Sequence, residues 1–201
     1  MVLDRTEVRA ILAHLQGEKW LMATLLYGTG IRLMECLRLW VKDIDLVRNQ
    51  ITIRVGKGNK DRLTMLPAAV KDPLARHLEG VREQHERDLT NGFGCVALPD
   101  ALERKYPNAN REWGWQWVFP ATHISVDPRS GVRRRHHSHE SVLHRAIKKA
   151  TRRAKVAKPV SRHTFRTVST YYYSFQRLLY YSGSSACPSI ICGGLRPACT
   201  V

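Results

Sequence analysis

The amino-acid composition changes abruptly after Arg166, and this break limits which part of the chain can form an ordinary folded domain. Residues 167–201 contain no Asp, Glu, Lys or His, while Tyr, Ser and Cys are frequent there. Residues 1–166 carry the apolar periodicities from which helices and strands are predicted. We therefore expect one domain in residues 1–166, and we expect residues 167–201 to be an aberrant tail that is frameshifted or disordered.

The chain is strongly basic, with a formal net charge of +16 and a pI near 10.2. A positive surplus of this size favours a polyanionic partner, of which nucleic acid is the commonest. The alternative is a charged surface that only keeps the protein in solution. No apolar run approaches the roughly 20 residues needed to cross a bilayer, and the first five residues lack the layout of a signal peptide. We expect a bacterial cytoplasmic protein with no membrane partner.

The cysteines and histidines give no metal-site prediction. Cys36 and Cys95 are interpreted as small buried apolar residues rather than as a disulfide pair. Four histidines fall between residues 136 and 144, but no acidic or cysteine residue stands at ligand spacing and three arginines precede them. Phosphate contact by this basic segment is the favoured interpretation, and no metal or other cofactor is expected.

Apolar spacing predicts a domain built mainly from helices. Asp4 is placed to cap a first helix, a second should run from about residue 18 to the glycines at 28 and 30, and a third should follow to about residue 40. A long helix is predicted over residues 68–89. A basic helix should begin at Ser138, with residues 142, 146, 150 and 154 facing inward. Ser161 is placed to cap a further helix, on which His163 and Arg166 would share one face.

The remaining pattern predicts a small antiparallel sheet beside these helices. Residues 49–55 alternate between apolar and polar side chains, and residues 62–66 form their partner strand. The Gly- and Asn-containing turn between them places Lys57 at an exposed hairpin tip. A short helix is predicted at residues 101–105 and a basic loop or arm at residues 131–137. The fold class is therefore α+β, mainly α-helical, with a small β-hairpin sheet.

Four residues supply the groups that are needed to cut a phosphodiester. The planar guanidinium groups of Arg32 and Arg166 match two non-bridging phosphate oxygens. Lys57 can protonate the departing oxygen, and His163 can bind a phosphate oxygen or shuttle a proton. Each signal alone is weak, because an arginine after a glycine turn is usually a solvated helix residue and a lysine in a glycine turn usually belongs to an ordinary basic hairpin. Their order along the chain makes the pattern specific.

This order and its context resemble the catalytic domain of tyrosine recombinases, which has the fold of DNA breaking-rejoining enzymes. The matching segments are LLYGTGIR at residues 25–32 with Glu35 and Leu39, VKDID at 41–45, GKGNKDR at 56–62 and HTFR at 163–166. Within that family the chain is similar to the integron integrases. That similarity is carried by ALPDALERKYP at residues 97–107, by the Trp-rich stretch after it and by DPRSG at residues 127–131. The resemblance covers roughly residues 2–166 and places the integron-type insertion at residues 93–117.

The resemblance implies site-specific recombination of DNA without a cofactor. A tyrosine attacks the scissile phosphate to form a phosphotyrosyl intermediate, which a 5′-hydroxyl later displaces. Arg32 and Arg166 would clamp the phosphate, Lys57 would protonate the leaving 5′-oxygen, and His163 would assist proton movement. The partners would be a duplex attachment site and a folded single-stranded cassette site, both bound by a homotetramer that integrates and excises gene cassettes.

Contacts to DNA are assigned to basic and aromatic side chains around this site. The candidates are Lys60, Arg62, Trp113, Trp115, Trp117, Arg133, Arg134, Arg135 and His136. Aromatic side chains can stack on bases that protrude from a folded single strand. For each tryptophan, the interpretation that it seals the core beside the apolar residues 118–119 is equally open.

The chain departs from the family pattern in two places. The family has a smaller helical DNA-binding domain before the catalytic one, and this chain starts where the catalytic domain starts. After the His-x-x-Arg helix the family continues with a Leu-Gly-His segment and a helix bearing the nucleophilic tyrosine. At the expected distance this chain reads RPA, at residues 196–198. We expect a C-terminally truncated domain with no identified nucleophile, which binds DNA weakly and does not cleave it. The alternatives are a non-catalytic DNA-binding fragment and an unrelated RNA-binding protein.

Overall fold

Helix α2 (Gly17–Thr29) lies at the centre of the computed structural model, which describes residues 3–54, 61–98, 100–161 and 164–165. All six residues from 21 to 26 are buried, and α2 contacts the first, third, fourth and sixth helices. The other helices are α1 (Arg5–Ala13), α3 (Leu33–Leu37), α4 (Ala68–Thr90), α5 (Asp100–Lys105) and α6 (Glu140–Arg153). The strands are β1 (Ile44–Asp45), β2 (Gln50–Ile53), β3 (Arg62–Met65), β4 (Pro120–Val126) and β5 (Arg133–His137).

The first two helices have the ends that the sequence predicts. The Asp4 carboxylate accepts a hydrogen bond of 2.8 Å from the backbone N–H of Glu7, and the Glu7 carboxylate accepts one of 2.9 Å from the backbone N–H of Asp4. This capping box satisfies two donors that the start of a helix leaves free. Helix α2 ends at Gly30, whose φ of 66° lies in the left-handed region. Glycine adopts this conformation without steric cost, so the chain reverses sharply before α3.

Two antiparallel sheets flank the helices. The first has the order β1-β2-β3, and its register pairs Ile51 with Thr64 and Ile53 with Arg62. Ile51 and Ile53 are buried, which confirms the alternating pattern of the predicted hairpin. The turn that carries Lys57 lies in residues 55–60, outside the described residues. The second sheet pairs β4 with β5 and was not predicted.

The buried side chains form two separate clusters. The main core joins α1, α2, α3, α4 and α6 with β2, and it includes Val118, Phe119 and Phe165, each 0% exposed. The second cluster contains Val96, Leu98, Ala109 and Trp117, which all lie inside the predicted insertion at residues 93–117. The insertion therefore has a small core of its own.

Three predictions about local structure are wrong in detail. The third helix ends at Leu37, and Trp40 instead forms an isolated bridge with Trp117. The basic segment at residues 131–137 is largely strand β5 rather than a loop or arm, because β4 supplies a hydrogen-bonding partner. Helix α6 buries Leu143 and Ile147 beside the predicted Ala150, while Ala146 and Ala154 of the predicted stripe pack only partly against the core. The larger side chains gain more from burial, so they decide which face is buried.

The long helix α4, predicted over residues 68–89, is confirmed within one residue.

The two cysteines that the structure describes are free thiols, of which Cys36 is buried and Cys95 is half-buried. Burial raises the pKa of the Cys36 thiol far above its ordinary value. Among the described residues, no helix combines the length and apolar character needed to span a membrane.

A close approach between α2 and the start of α4 predicts the effect of one substitution. A Cβ added at Gly28 would overlap the ring of Pro67, whereas a Cβ at Gly80 in α4 would meet nothing within 4 Å. We expect Gly28→Ala to lower the free energy of unfolding by about 1–3 kcal/mol. Gly80→Ala should raise it by up to about 1 kcal/mol, because alanine loses less backbone entropy in a helix. Urea unfolding followed by circular dichroism measures both, and equal effects would contradict the close approach.

Candidate active-site cleft

A cleft of about 740 Å³ lies between α3, the end of β2 and the β4–β5 sheet. Its lining is rich in cationic and imidazole side chains, namely Arg32, Arg38, Arg54, Arg129, His136 and His137. Two carboxylates, Glu35 and Asp43, also face it. The opposite wall is apolar and includes Leu39, Leu98 and Trp117. The cleft is therefore suited to an anion that carries flat or apolar groups.

Arg32 reaches this cleft because the left-handed turn at Gly30 ends α2 just before it. Arg32 is the N-cap of α3, and its backbone N–H donates a hydrogen bond of 2.8 Å to Glu35 Oε2. Its guanidinium Nη1 also donates to Glu35 Oε1 at 2.7 Å. The Arg32 side chain keeps 37% of its surface exposed. The guanidinium is thus oriented by a carboxylate and still accessible to a ligand.

Glu35 holds a second arginine in the same way. Arg62, the first residue of β3, donates to both Glu35 oxygens, at 3.2 Å from Nη1 and 2.7 Å from Nη2. The Glu35 side chain is only 10% exposed. Burial alone would raise the pKa of its carboxyl, but the hydrogen bonds from Arg62 and from the backbone and side chain of Arg32 outweigh burial and lower the pKa to about 2. Glu35 therefore stays ionised and joins α3 to the hairpin.

The other strand of the hairpin is fixed by a different carboxylate. Arg54 follows β2, and its Nε donates to Asp43 Oδ1 at 2.5 Å. Asp43 is 3% exposed, and its burial raises the pKa of its carboxyl despite the hydrogen bond from Arg54. Arg54 also lies 3.6 Å from Asp61. Both ends of the loop that carries Lys57 are thus bound to buried carboxylates.

Two histidines of β5 form the far side of the cleft. The rings of His136 and His137 lie 4.1 Å apart between centroids, and the His137 ring meets Trp117 edge-on at 5.5 Å. His137 Nδ1 is 2.9 Å from the carbonyl oxygen of Ser138. Burial lowers the pKa of His137, and the neighbouring charges of His136 and Arg38 act in the same direction. The His137 imidazole is therefore biased towards its neutral form.

Of the four predicted catalytic residues, the structure describes Arg32 only. Lys57, His163 and Arg166 lie outside the described residues, as does the predicted DNA contact Lys60. Phe165 is described and is completely buried in the main core. The Thr164 backbone N–H donates to the Ser161 carbonyl at 3.1 Å, and the Ser161 N–H donates to Thr164 Oγ1 at 3.0 Å. Residues 164–165 are thus held against the core by Phe165 and joined to Ser161 by local hydrogen bonds.

The three consecutive arginines of β5 do not share one role. Arg135 donates to both oxygens of Asp88, at 2.6 and 2.9 Å, and also to the carbonyl oxygens of residues 121 and 122. Arg134 is buried and pairs with Asp127 at 3.3 Å. Both guanidinium groups are thus engaged inside the fold, and the predicted contacts of Arg134 and Arg135 with DNA stay predictions. Arg133 is exposed beside the ring of Phe93, so its predicted contact stays a prediction.

The three tryptophans of the insertion differ in their burial and in their contacts. Trp117 is only 8% exposed and belongs to the second core, which favours the core interpretation that the sequence left open for it. Trp115 is half-buried, meets Trp40 at 4.9 Å, and carries the Lys42 ammonium over its ring. Trp113 is half-buried and lies 6.1 Å from the ring of His85. Stacking of Trp113 and Trp115 on DNA bases stays a prediction.

Several cleft residues were missed by sequence reasoning. Arg38 and Arg54 were not among the predicted site residues. His137 was placed in the basic loop or arm at residues 131–137, and Arg129 was noted only as part of the DPRSG segment. A signal for them existed in the apolar alternation of residues 118–126, which predicts a strand and would have brought the following basic segment against it. Among the described residues, no group of His, Cys, Asp or Glu side chains could hold a metal ion.

Comparison with known proteins places this cleft in a family. The sequence model of the phage integrase family matches residues 1–176. An integrase/recombinase of Escherichia coli is 48% identical over 166 residues, which cover 83% of this chain and 49% of the relative. An integrase/recombinase of Pseudomonas aeruginosa matches to the same extent. The tyrosine recombinase XerA of Thermococcus kodakarensis is 36% identical over 87 residues, which cover 42% of this chain and 31% of the relative. The chain spans about half the length of the first two relatives.

Solved structures share the fold at low sequence identity. The crystal structure of XerA recombinase has a TM-score of 0.53 and 20% identity, covering 92% of this chain and 51% of that one. XerH recombinase in a post-cleavage complex with its difH substrate has a TM-score of 0.55 and 17% identity, covering 89% and 43%. The Tn1549 transposon integrase with transposon right-end DNA has a TM-score of 0.54 and 16% identity, covering 92% and 58%. These likenesses confirm the predicted fold class, mainly helical with small antiparallel sheets.

The buried position of Glu35 predicts a pH-dependent contribution to stability. Glu35→Gln removes the charge that two arginines share, so we expect the free energy of unfolding at pH 7 to fall by about 1–2 kcal/mol. Since the folded-state pKa is about 2 and the ordinary value is 4.5, this contribution is complete above about pH 4.5 and is lost as the pH falls towards 2. Urea unfolding of both proteins between pH 7 and pH 3 measures the difference.

The matched control is Glu86→Gln, which removes an exposed carboxylate paired with Arg82 on α4. An exposed pair of this kind contributes about 0–0.5 kcal/mol. A difference between wild type and Glu35→Gln that stayed constant from pH 7 to pH 3 would contradict the assigned role of the charge.

Proposed function

This chain belongs to the phage integrase family, the tyrosine recombinases, and we propose that its cleft binds the phosphodiester at which an integron-type recombinase cuts and rejoins DNA. The observation that carries the proposal is the position of Arg32. Its guanidinium is held by Glu35 at 2.7 Å and remains 37% exposed at the wall of a cationic cleft. An oriented guanidinium with free donors is suited to two oxygens of one phosphate.

The family chemistry needs a nucleophilic tyrosine that has not been identified in this chain, and the remaining roles fall on this chain's residues. A tyrosine oxygen attacks the phosphorus and displaces the 5′-oxygen of the strand, which leaves with a proton from Lys57. Arg32 and Arg166 stabilise the negative charge on the non-bridging oxygens, and His163 assists proton movement. A 5′-hydroxyl from a second strand then attacks the phosphotyrosyl bond, so the number of phosphodiester bonds is conserved and no cofactor is consumed. DNA would be bound by a homotetramer.

The integron assignment is supported by the insertion. Residues 97–107 and 127–131 carry the integron-type sequence, and the insertion forms a cluster around Trp117 that is separate from the main core. Trp113 and Trp115 are each half-buried on this unit, and we propose that the parts of their rings that stay exposed contact bases that protrude from a folded single strand. A duplex attachment site and a folded cassette site are the proposed substrates.

We further propose that this sequence does not form the covalent intermediate. Residues 167–201 do not contain the Leu-Gly-His segment or the tyrosine helix with which the family continues. Tyrosines at residues 171–173, 180 and 181 stand closer to Arg166 than the family nucleophile does. The second candidate function is therefore binding of DNA by the cationic cleft without cleavage.

DNA binding is tested with fluorescein-labelled attachment-site duplex, a folded cassette-site hairpin with protruding bases, and an RNA hairpin of matched length. We expect both DNAs to bind more tightly than the RNA, with affinity falling steeply as salt rises because several phosphates are neutralised. Arg32→Ala should weaken DNA binding about tenfold at low salt. Arg82→Ala, which removes an exposed arginine of α4, is the charge-matched control. Equal loss in both variants, or preference for the RNA, would overturn the proposal.

Cleavage is tested with a nicked suicide duplex, which traps a phosphotyrosyl enzyme because the cut strand is released. We expect no covalent protein–DNA adduct from this chain on a denaturing gel. An integrase from the same family that forms the adduct on the same duplex serves as the positive control. An adduct that mass spectrometry maps to Tyr180 or Tyr181 would show that the tail supplies the nucleophile, and the proposed loss of cleavage would then be wrong.

A further inference from the structure

The cleft holds two arginines that the proposed chemistry does not use. Arg38 is the C-cap of α3, and Arg129 lies in the turn between β4 and β5. Both are exposed and both line the 740 Å³ cleft. Their guanidinium groups make no hydrogen bond or ion pair with any described residue, in contrast to Arg32, Arg54 and Arg62, which are all bound to carboxylates.

The carboxylates of the cleft cannot neutralise these two charges. Glu35 is shared by Arg32 and Arg62, and Asp43 is taken by Arg54. The Asp127 carboxylate accepts hydrogen bonds from the backbone N–H of Arg129 and from the Ser130 hydroxyl, pairs with Arg134, and has its pKa lowered by these contacts and by the charges of Arg134 and Arg129. One carboxylate facing two arginines leaves a surplus of positive charge on the side of the cleft next to β5. Such a site in a walled cleft attracts an anion strongly.

The placement of the arginines suits more than one phosphate. Arg32 and Arg38 stand at opposite ends of α3, and six residues of helix span about 9 Å. Because the two side chains leave the backbone that far apart, each can hold a phosphate of its own through charge-assisted hydrogen bonds of about 2.8 Å. Successive phosphates of one strand follow each other at about 3.4 Å of duplex rise. A strand that places one phosphate at Arg32 therefore brings neighbouring phosphates towards Arg38.

We propose that Arg38 and Arg129, with His136 and His137 beside them, form a second phosphate subsite that holds a DNA phosphodiester next to the scissile one. This inference rests on the proposed function, since it assumes that a DNA strand lies in the cleft. His136 is exposed, and its ring lies tilted against that of His137 at 4.1 Å between centroids. The His136 imidazole can donate a hydrogen bond to a phosphate oxygen, while His137, whose Nδ1 faces the Ser138 carbonyl, holds it in place. The Trp117 ring lies beside this subsite, with its centroid 5.9 Å from that of the His136 ring.

The subsite is tested by neutralising phosphates one at a time. Attachment-site duplexes are made with a single methylphosphonate, which is uncharged, at the scissile position or at one of its neighbours. Fluorescence anisotropy then gives the affinity of wild type, Arg38→Ala, Arg129→Ala and Arg32→Ala for each duplex. Arg38→Lys keeps the charge, and Arg82→Ala is the control outside the cleft. Circular dichroism checks that each variant is folded.

We expect Arg38→Ala and Arg129→Ala each to weaken DNA binding about tenfold. The salt slope, which is the steepness with which the logarithm of affinity falls with the logarithm of salt concentration, should decrease by about 1 in each variant. The affinity losses of both variants should vanish on one duplex, in which a particular phosphate next to the scissile one is uncharged, because the arginine–phosphate contact is already absent there. Arg38→Lys should keep most of the salt slope. Arg32→Ala should lose its effect on a different duplex, the one that is uncharged at the scissile position.

The outcomes separate this inference from the proposed function. If Arg32→Ala weakens binding while Arg38→Ala and Arg129→Ala behave like Arg82→Ala, the second subsite is wrong and the DNA cleft stands. The second subsite is also wrong if Arg38→Ala and Arg129→Ala lose equal affinity on every duplex. If wild type does not prefer the DNAs to RNA and its affinity does not depend on salt, the proposed function fails and the subsite fails with it.

Discussion

The arrangement of the cleft depends on one buried carboxylate. Glu35 accepts hydrogen bonds from the backbone and side chain of Arg32 and from both amino groups of Arg62. Two arginines side by side repel each other, and the shared carboxylate offsets this repulsion while leaving their outer donors free. Because Arg62 starts β3 and Arg32 starts α3, the same contact sets the position of the hairpin relative to the helix. A carboxylate held at a pKa of about 2 cannot be neutralised at any pH a cell experiences.

Much of this architecture follows from local sequence. The capping box at Asp4, the glycine exit at Gly30 and the buried alternation of Ile51 and Ile53 are each fixed by a few neighbouring residues. Local rules work there because the physical cause lies within one or two turns of chain. Of the active-site set, Arg32 is described where its motif predicted it, at the start of a helix after a glycine turn. Lys57, His163 and Arg166 stay predictions, since they lie outside the described residues.

The features that sequence reasoning missed are set by residues far apart in the chain. Arg135 looked like a free cation until its bidentate contact with Asp88, 47 residues earlier, joined the strand to the end of α4. From the sequence, Trp117 could equally stack on a base or fill a core, and in the structure it packs into the core of the insertion. The inward face of α6 was misjudged because an alanine stripe and a Leu143–Ile147 stripe have the same spacing. Only the neighbouring α1 and α2 select between them.

The two separate cores have a consequence for how such a protein can change over time. None of the buried side chains of the insertion cluster belongs to the main core. The two are joined through backbone hydrogen bonds from Val41 to Gln116 and from Val118 to Leu39, and through ring contacts of Trp40 with Trp115 and Trp117. Apart from these tryptophans, side chains of the insertion can be replaced while the backbone bonds remain. Under the proposed function, mutations could therefore accumulate in the insertion and alter which nucleic-acid shapes are accepted, while the scaffold that bears Arg32 keeps its geometry. Substrate range and reaction chemistry would then be separately heritable traits of one polypeptide.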